Sequence, residues 1–531
     1  MYAYKHATAS PRDEKFASPS EELRLAVTFR RPGGHDGPTK FMPPLSLSTV
    51  GEFKPDPMAV DEALYHLSRL GFRPTRRGNF TASVRCSRAL FEQTFSTQLS
   101  AVQLDRKVDY AFPSLYYPAA GAPWSMPPDL GRLIDDAYIQ WPHIYMGRKT
   151  KVRSTGSAKV AAKARGSARR ADTMAGAAAA RLPSLKPPTL NYFHLSVPDG
   201  VAGQLNADKV HKAGITGKGV RVVMVDTGFA HSHPYFAGKG YTTSVDLAPH
   251  ASNDATDLNG HGTGESANML AVAPGIIFIG IKVDNDGDPR GGASMLEGFQ
   301  QALLHDPQII SLSMGFDLRN TDGTQMSELP NNMAALEAEI QAAIARGIIV
   351  VFSAGNGHFS FPGMMPNVIS AGGVFVDQTG GMQASDYASA FQSKIYPGRA
   401  VPDFSGLVGM LPNASYIELP VPPGSETDRE QAAPDDGPGD GTAPDDGWGV
   451  FSGTSAAAPQ LAGVCALLLE KNPKLSPADA KAILRRTARS VTKGAANPTS
   501  SDDNVGEPAS TSDTGATGAG LIDAFAAFRQ L

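Results

Sequence analysis

Between residues 219 and 470 one pattern recurs, and it restricts the fold more than any other feature of the chain. Five runs, Gly219–Val225, Ile276–Val283, Ile309–Ser313, Ile348–Ser353 and Val368–Val374, are apolar and rich in β-branched residues. Met295–Leu304, Met333–Arg346 and Ser455–Glu470 instead carry apolar residues at helical spacing. Strands apolar on both faces must be covered on both faces. Alternation with helices therefore predicts an α/β domain over 191–531, with a mainly parallel central sheet and flanking helices. In such a fold the chemistry sits at the carboxyl ends of the strands. There is no internal repeat.

The flanking sequence divides the rest of the 531 residues. Upstream, Glu22–Arg30 alternates as a strand and Ala59–Leu70 has helical periodicity. Phe80–Cys86 reads as a strand, Ser87–Phe95 as a second helix and Asp129–Tyr138 as a third. This predicts a small α+β domain over 21–146, behind a tail at 1–20, with no cluster of catalytic residue types. From Arg148 to Arg170 there are nine Lys/Arg and no acid, followed by Ala175–Ala180 and by Pro183, Pro187 and Pro188. Residues 147–190 read as an interdomain linker. From Glu418 to Gly447 nine Asp/Glu face the single Arg429, which predicts a solvated acidic insert at 418–447.

Several function classes fall away. The basic block lacks interleaved aromatics and a known binding fold, so nucleic acid is not an expected partner. No apolar run approaches the ~18 residues of a membrane span. The Met1–Lys15 start lacks the apolar stretch of a Sec-type signal peptide, which leaves localisation open between the cytoplasm and an unorthodox export route. Two cysteines, Cys86 and Cys465, exclude a disulfide scaffold, a four-cysteine zinc site and an iron–sulfur centre.

Four short motifs supply reactive groups. Val225-Asp226-Thr227-Gly228 closes the first apolar run. Asn259-Gly260-His261-Gly262-Thr263-Gly264 brings glycines close around a histidine. Ser452-Gly453-Thr454-Ser455-Ala456-Ala457-Ala458-Pro459 opens an apolar helix with a serine, and Ser353-Ala354-Gly355-Asn356-Gly357 ends another run. Taken singly, Asp226 is a turn or cap residue, His261 a loop histidine, Ser455 an N-cap and Asn356 a turn former. Together they offer the parts of a nucleophilic triad. Serine is a weak nucleophile until a histidine takes its proton, and that histidine needs a carboxylate to fix its tautomer. A helix N-terminus beside the serine and the Asn356 amide would suit an oxyanion; removing one such donor typically costs about 10²–10³ in rate.

These motifs, in this order, resemble those of the subtilisin-like serine peptidases, from about Tyr192 to Leu531, including Gly-Ala-Gly-Leu-Ile-Asp ending at Asp523. The resemblance implies Asp226, His261 and Ser455 as the triad and Asn356 as the oxyanion donor. It also implies Ser311, Ser313, Met314 and Gly315 as the strand that pairs with substrate, with Ser353, Ala354 and Gly355 as the opposite wall. Residues 22–145, with Gly71-Phe72 and the Ser87–Phe95 and Leu130–Tyr138 segments, look like the activation propeptide of kumamolisin or sedolisin peptidases. That branch uses a glutamate base and an aspartate oxyanion donor; His261 and Asn356 follow the subtilisin pattern instead.

The implied function is a serine endopeptidase made as a zymogen, acting on protein or peptide substrates near neutral pH. Its own propeptide would assist folding and act as an intramolecular inhibitor until the linker is cut. The contrasting reading is a catalytically silent, protease-like binding module that works through its basic linker. No cofactor is required. The family's calcium loop has no room between His261 and Ala273-Pro274-Gly275, which leaves only a weaker calcium site near the C-terminus. Glu265, four residues after His261 on the same helical face, is an auxiliary candidate that would compete with Asp226 for the histidine.

Overall fold

The apolar runs of the sequence become the inner strands of one parallel sheet. The structure is a computed structural model of the whole chain. It describes residues 21–30, 47–48, 50–104, 110–112, 114–119, 124–145, 182–288, 291–411, 414–434, 439–497, 509 and 515–531. The expected tail at 1–20 and the basic block Arg148–Arg170 lie outside the described residues.

In spatial order the central strands are Thr242–Leu247, Ile277–Lys282, Arg221–Asp226, Ile309–Leu312, Ile349–Ser353 and Ile369–Val376. All of these pair in parallel, and Phe404–Leu407 joins Ile369–Val376 in parallel as well. Met382–Ala384 adds an antiparallel edge. From Arg221–Asp226 the chain builds outward first to one side and then, from Ile309, to the other. Asp226 therefore ends its strand where the strand order reverses, the usual place for a site in such a sheet.

Side chains alternate between two cores, as strand geometry requires. Val222, Met224, Ile309, Ile349 and Val351 pack towards the helices His261–Val272 and Thr454–Lys471. Val223, Val225, Ile310, Leu312, Val350 and Phe352 pack towards Met295–Leu303 and Asn331–Ala345. The helix Thr454–Lys471 is buried from Thr454 to Leu469. Neither it nor any other helix of the described residues is long and apolar enough to cross a membrane.

Residues 21–145 contribute a separate antiparallel sheet, ordered Arg73–Arg77, Thr81–Ser87, Glu22–Phe29, Ile134–Ile139. Leu23, Leu25, Val27, Ala82 and Val84 on one face pack with Phe72, Phe91 and Phe95 from beneath the helices Pro57–Leu70 and Arg88–Thr94. The opposite face carries Arg24, Thr81, Ser83 and Arg85, all buried. It rests on the helices Met295–Leu303 and Asn331–Ala345. Arg85 pairs with Glu297 at 2.9 Å, and Ser83 donates to Gln300 at 2.7 Å. Glu339 accepts from the backbone N–H groups of Asn79, Phe80 and Thr81.

Two sequence expectations change. The third helix expected over Asp129–Tyr138 is a strand, Ile134–Ile139, paired with Glu22–Phe29. Its apolar residues, Leu130, Ile134, Ala137 and Ile139, mimic helical spacing, but a non-local partner strand decides the conformation. The acidic insert is not a solvated block: its described residues form a strand, Ile417–Pro420, and a helix, Glu426–Ala432, and bury Glu418, Asp428 and Asp440. Two of these carboxylates hold backbone. Asp428 accepts from Gly424 N at 2.7 Å, and Asp440 from Thr442 N at 2.9 Å and Val450 N at 2.8 Å. Burial first, then Asp446 and Asp440 nearby, pushes the Asp428 carboxyl up to about 7.

Candidate active site

Asp226 is the last residue of its strand, and its Oδ1 lies 2.7 Å from His261 Nδ1. The histidine opens the helix His261–Val272 after Gly260 at φ 95°, a left-handed value that favours glycine. Asp257 shapes the approach. Its carboxylate accepts from Gly260 N at 2.8 Å, Thr263 N at 2.9 Å and Thr263 Oγ1 at 2.7 Å, while Thr227 Oγ1 donates to it at 3.0 Å. Gly262 cannot be replaced without movement, because a Cβ there would lie 2.3 Å from Gly228 O and 2.9 Å from Asp226 Cβ.

Burial on its own would lower the His261 pKa. The charge and hydrogen bond of Asp226, then Glu265 and Asp257, carry it instead to about 9. Glu265 is wholly buried, and its Oε1 lies 3.9 Å from His261 Nε2. The two carboxylates thus do not contend for one nitrogen: Asp226 takes Nδ1 and Glu265 stands by Nε2. Burial raises Glu265 to about 7, with His261, Asn268 and Ser455 pulling the other way. His261 Nε2, Glu265 Oε1 and Ser455 Oγ are buried and without hydrogen-bond partners among the described residues.

Ser455 occupies the second position of its helix, after Gly453 at φ 115°. The first N–H groups of a helix have no partner within it and carry partial positive charge. Pro459, four residues on, has no N–H to give the Ser455 carbonyl. Ser313 Oγ donates to that carbonyl instead, at 2.9 Å, and so ties Ser455 to the link between the strands Ile309–Leu312 and Met314–Asp317. Thr454 fixes the other side: its N and Oγ1 donate to Asn356 Oδ1 at 3.0 and 3.1 Å, and Gly355 N donates to Thr454 Oγ1 at 3.1 Å. This orients the Asn356 amide, turning its Nδ2 donor end away from Thr454.

Of the expected cleft residues, Met314 and Gly315 lie in the strand Met314–Asp317 and pair antiparallel with Tyr145 and Ile144 of the N-terminal region. Ser311 sits inside the parallel sheet, opposite Met224 and Val351. Ser353 ends its strand, Ala354 N donates to Ala371 O at 2.9 Å, and Gly355 adopts φ 101°. Asp257, Tyr145 and Phe451 were not singled out in the sequence. Phe451 lies 6.4 Å, centroid to centroid, from His261. Its signal was Gly264, where a Cβ would meet the Phe451 ring at 2.7 Å. Among the described residues no group of three or more His, Cys, Asp or Glu is placed to hold a metal ion.

Residues 217–516, more than half of the chain, match the model of the Subtilase family. Subtilisin E of Bacillus subtilis (strain 168) is 26% identical over 309 residues, a match covering 55% of this chain and 66% of that protein, just under two thirds of its length. Subtilisin of Bacillus pumilus is 26% identical over 309 residues, covering 55% and 92%. Subtilisin Savinase of Lederbergia lenta is 26% identical over 308 residues, covering 56% and 93%. The chain belongs to the subtilase family.

Proposed function

We propose that this chain is a serine endopeptidase made as a zymogen, hydrolysing peptide bonds through an acyl-enzyme. The observation that carries the reading is the buried pair in which Asp226 Oδ1 holds His261 Nδ1 at 2.7 Å, with His261 Nε2 and the Ser455 hydroxyl both buried and without hydrogen-bond partners among the described residues. Asp226 accepts the Nδ1 proton and so keeps the lone pair on Nε2. That nitrogen takes the Ser455 proton as Oγ attacks the scissile carbonyl, then delivers it to the leaving amine. Water, activated by the same histidine, releases the acyl group. Asn356 Nδ2 and the Ser455 N–H hold the oxyanion. Glu265, beside Nε2, is an auxiliary group that favours the imidazolium. No step of this reading calls for a cofactor.

Substrate lies extended along Met314–Gly315, with Ser353–Gly355 as the far wall and main-chain bonds supplying affinity. Residues 21–146 are the propeptide and intramolecular inhibitor, released by a cut within 147–190. Supporting this, Ile144–Tyr145 takes the place of a substrate strand against Met314 and Gly315. The kinship of that region to kumamolisin-type propeptides rests on its sequence pattern.

The test is active-site labelling with a fluorophosphonate, alongside digestion of an unfolded protein. Wild type should label at Ser455 and digest, and Ser455→Ala should lose about 10⁶ in turnover. A protease-like binding module would leave the two proteins indistinguishable.

A further inference from the structure

The segment seated in the cleft carries information about what the cleft accepts. Tyr145, 5% exposed, lies against Met314 in an antiparallel pairing. Antiparallel pairing makes the C-terminal end of Ile144–Tyr145 the end nearer Ser313, whose hydroxyl holds the Ser455 carbonyl. Tyr145 is therefore the last described residue of the seated strand before the nucleophile. Its ring stands 6.4 Å from that of His261, inclined at 46°, and meets His143 edge-on at 5.1 Å. Tyr145 belongs to the buried apolar core of this side of the sheet, with Met314 as its cross-strand partner.

The phenol tip is met by a charge. Tyr145 Oη donates to Asp284 Oδ1 at 2.7 Å, the short geometry of a hydroxyl–carboxylate bond. Asp284 is half-buried and held by the chain around it. Its N donates to Thr227 O at 3.3 Å, the preceding Val283 N to Asp226 O at 3.0 Å, and Ser252 N donates to the Asp284 carbonyl at 3.3 Å. The carboxylate thus projects from a backbone clamped to the strand that ends in the catalytic aspartate. The tilted His261 ring beside a fixed acceptor at the reach of a phenol makes a recognition site for that side chain.

We propose that the cleft holds a tyrosine-selective subsite beside His261, with Asp284 as its specificity-determining residue and peptides bearing a phenol at the Tyr145 position as preferred substrates. This rests on the reading of Ile144–Tyr145 as a substrate-like strand. Leucine or phenylalanine at that position gives up the bond to Asp284 Oδ1, and a site built to bond a hydroxyl discriminates against the analogue lacking it. Because Asp284 keeps some contact with water, the selectivity is smaller than for a fully buried pair.

The test uses full-length protein after self-processing, titrated with a fluorophosphonate so that only correctly folded sites are counted. Two peptides differ only by Tyr or Phe at that position, in the context Ile-Tyr-Met-Gly taken from residues 144–147. Wild type should favour tyrosine by about tenfold or more in kcat/KM. Asp284→Ala should bring the ratio close to one, and Asp284→Asn, which keeps a neutral acceptor, should leave an intermediate ratio. A wild type that labels yet cleaves both peptides alike overturns the subsite, as does a preference that survives in Asp284→Ala. A wild type that neither labels nor cleaves fails earlier, as an enzyme, and the subsite falls with it.

Discussion

The two largest sheets among the described residues bury different kinds of surface. The central sheet of the catalytic part is apolar on both faces, with Val222 and Met224 to one side and Val223 and Val225 to the other. The N-terminal sheet is apolar on one face and mixed on the other, where Ala26 and Tyr138 join the core beneath. Its second face presses Arg24, Ser83 and Arg85 onto Gly292, Gln300 and Glu297, with Arg24 donating to Gly292 O at 2.8 Å. An apolar face cannot return to water without a large cost, whereas groups on the polar seam can exchange each protein bond for a water bond. A buried ion pair such as Arg85–Glu297 adds little net stability, and it penalises a mispaired partner heavily. Such a seam favours a correctly paired partner over a mispaired one more than it adds net stability.

The largest expected effect falls on the catalytic half alone. Asp226→Asn should slow self-cleavage by about 10⁴ while the N-terminal sheet stays docked, since no seam contact involves Asp226. Quench-flow or timed gels would measure this; a loss below tenfold would mean that Glu265 can orient the histidine unaided. Next comes the seam. Glu339→Ala removes the acceptor for Phe80 N at 2.9 Å and Thr81 N at 3.0 Å, a loss felt in the docked state only. After processing, the N-terminal piece should be held about tenfold or more weakly and separate on gel filtration. Co-elution matching wild type would show that the apolar contacts around Val50, Phe80 and Ala338 suffice.

The smallest effect is a shift of profile. The base must be neutral to act, so the acidic limb of the rate follows His261, held near 9 by carboxylates despite its burial. This places the limb above the near-neutral range that an ordinary histidine suggests. Glu265 ionises near 7, so its charge favours the imidazolium between about 7 and 9. Glu265→Gln removes that charge and should move the limb downward by roughly one pH unit. An unmoved limb at wild-type rate would make Glu265 a helix residue without a part in catalysis.

Much of this was legible in the sequence because it is local. Asp226, His261 and Ser455 each sit in a short string whose small residues are needed for close approach, as Gly262 against Gly228 O makes plain. The parallel sheet was legible from runs apolar on both faces. What escaped depends on partners far along the chain. Ile134–Ile139 has helical spacing and becomes a strand because Glu22–Phe29 pairs with it. Thr81, Ser83 and Arg85 alternate like a solvent face, and helices more than 200 residues away bury them. Tyr145 and Asp284, 139 residues apart, meet only in the cleft. The acids of 418–447 gave a charge count, but not the backbone groups that Asp428 and Asp440 would hold.

The central claim is that one half of this chain cuts the connection to the other, using Ser455. Intact mass spectrometry of purified wild type beside Ser455→Ala tests it most directly. The account predicts two pieces for wild type, with the new terminus between residues 147 and 191, and a single 55.8 kDa chain for Ser455→Ala. Processing of Ser455→Ala as complete as that of wild type would contradict it.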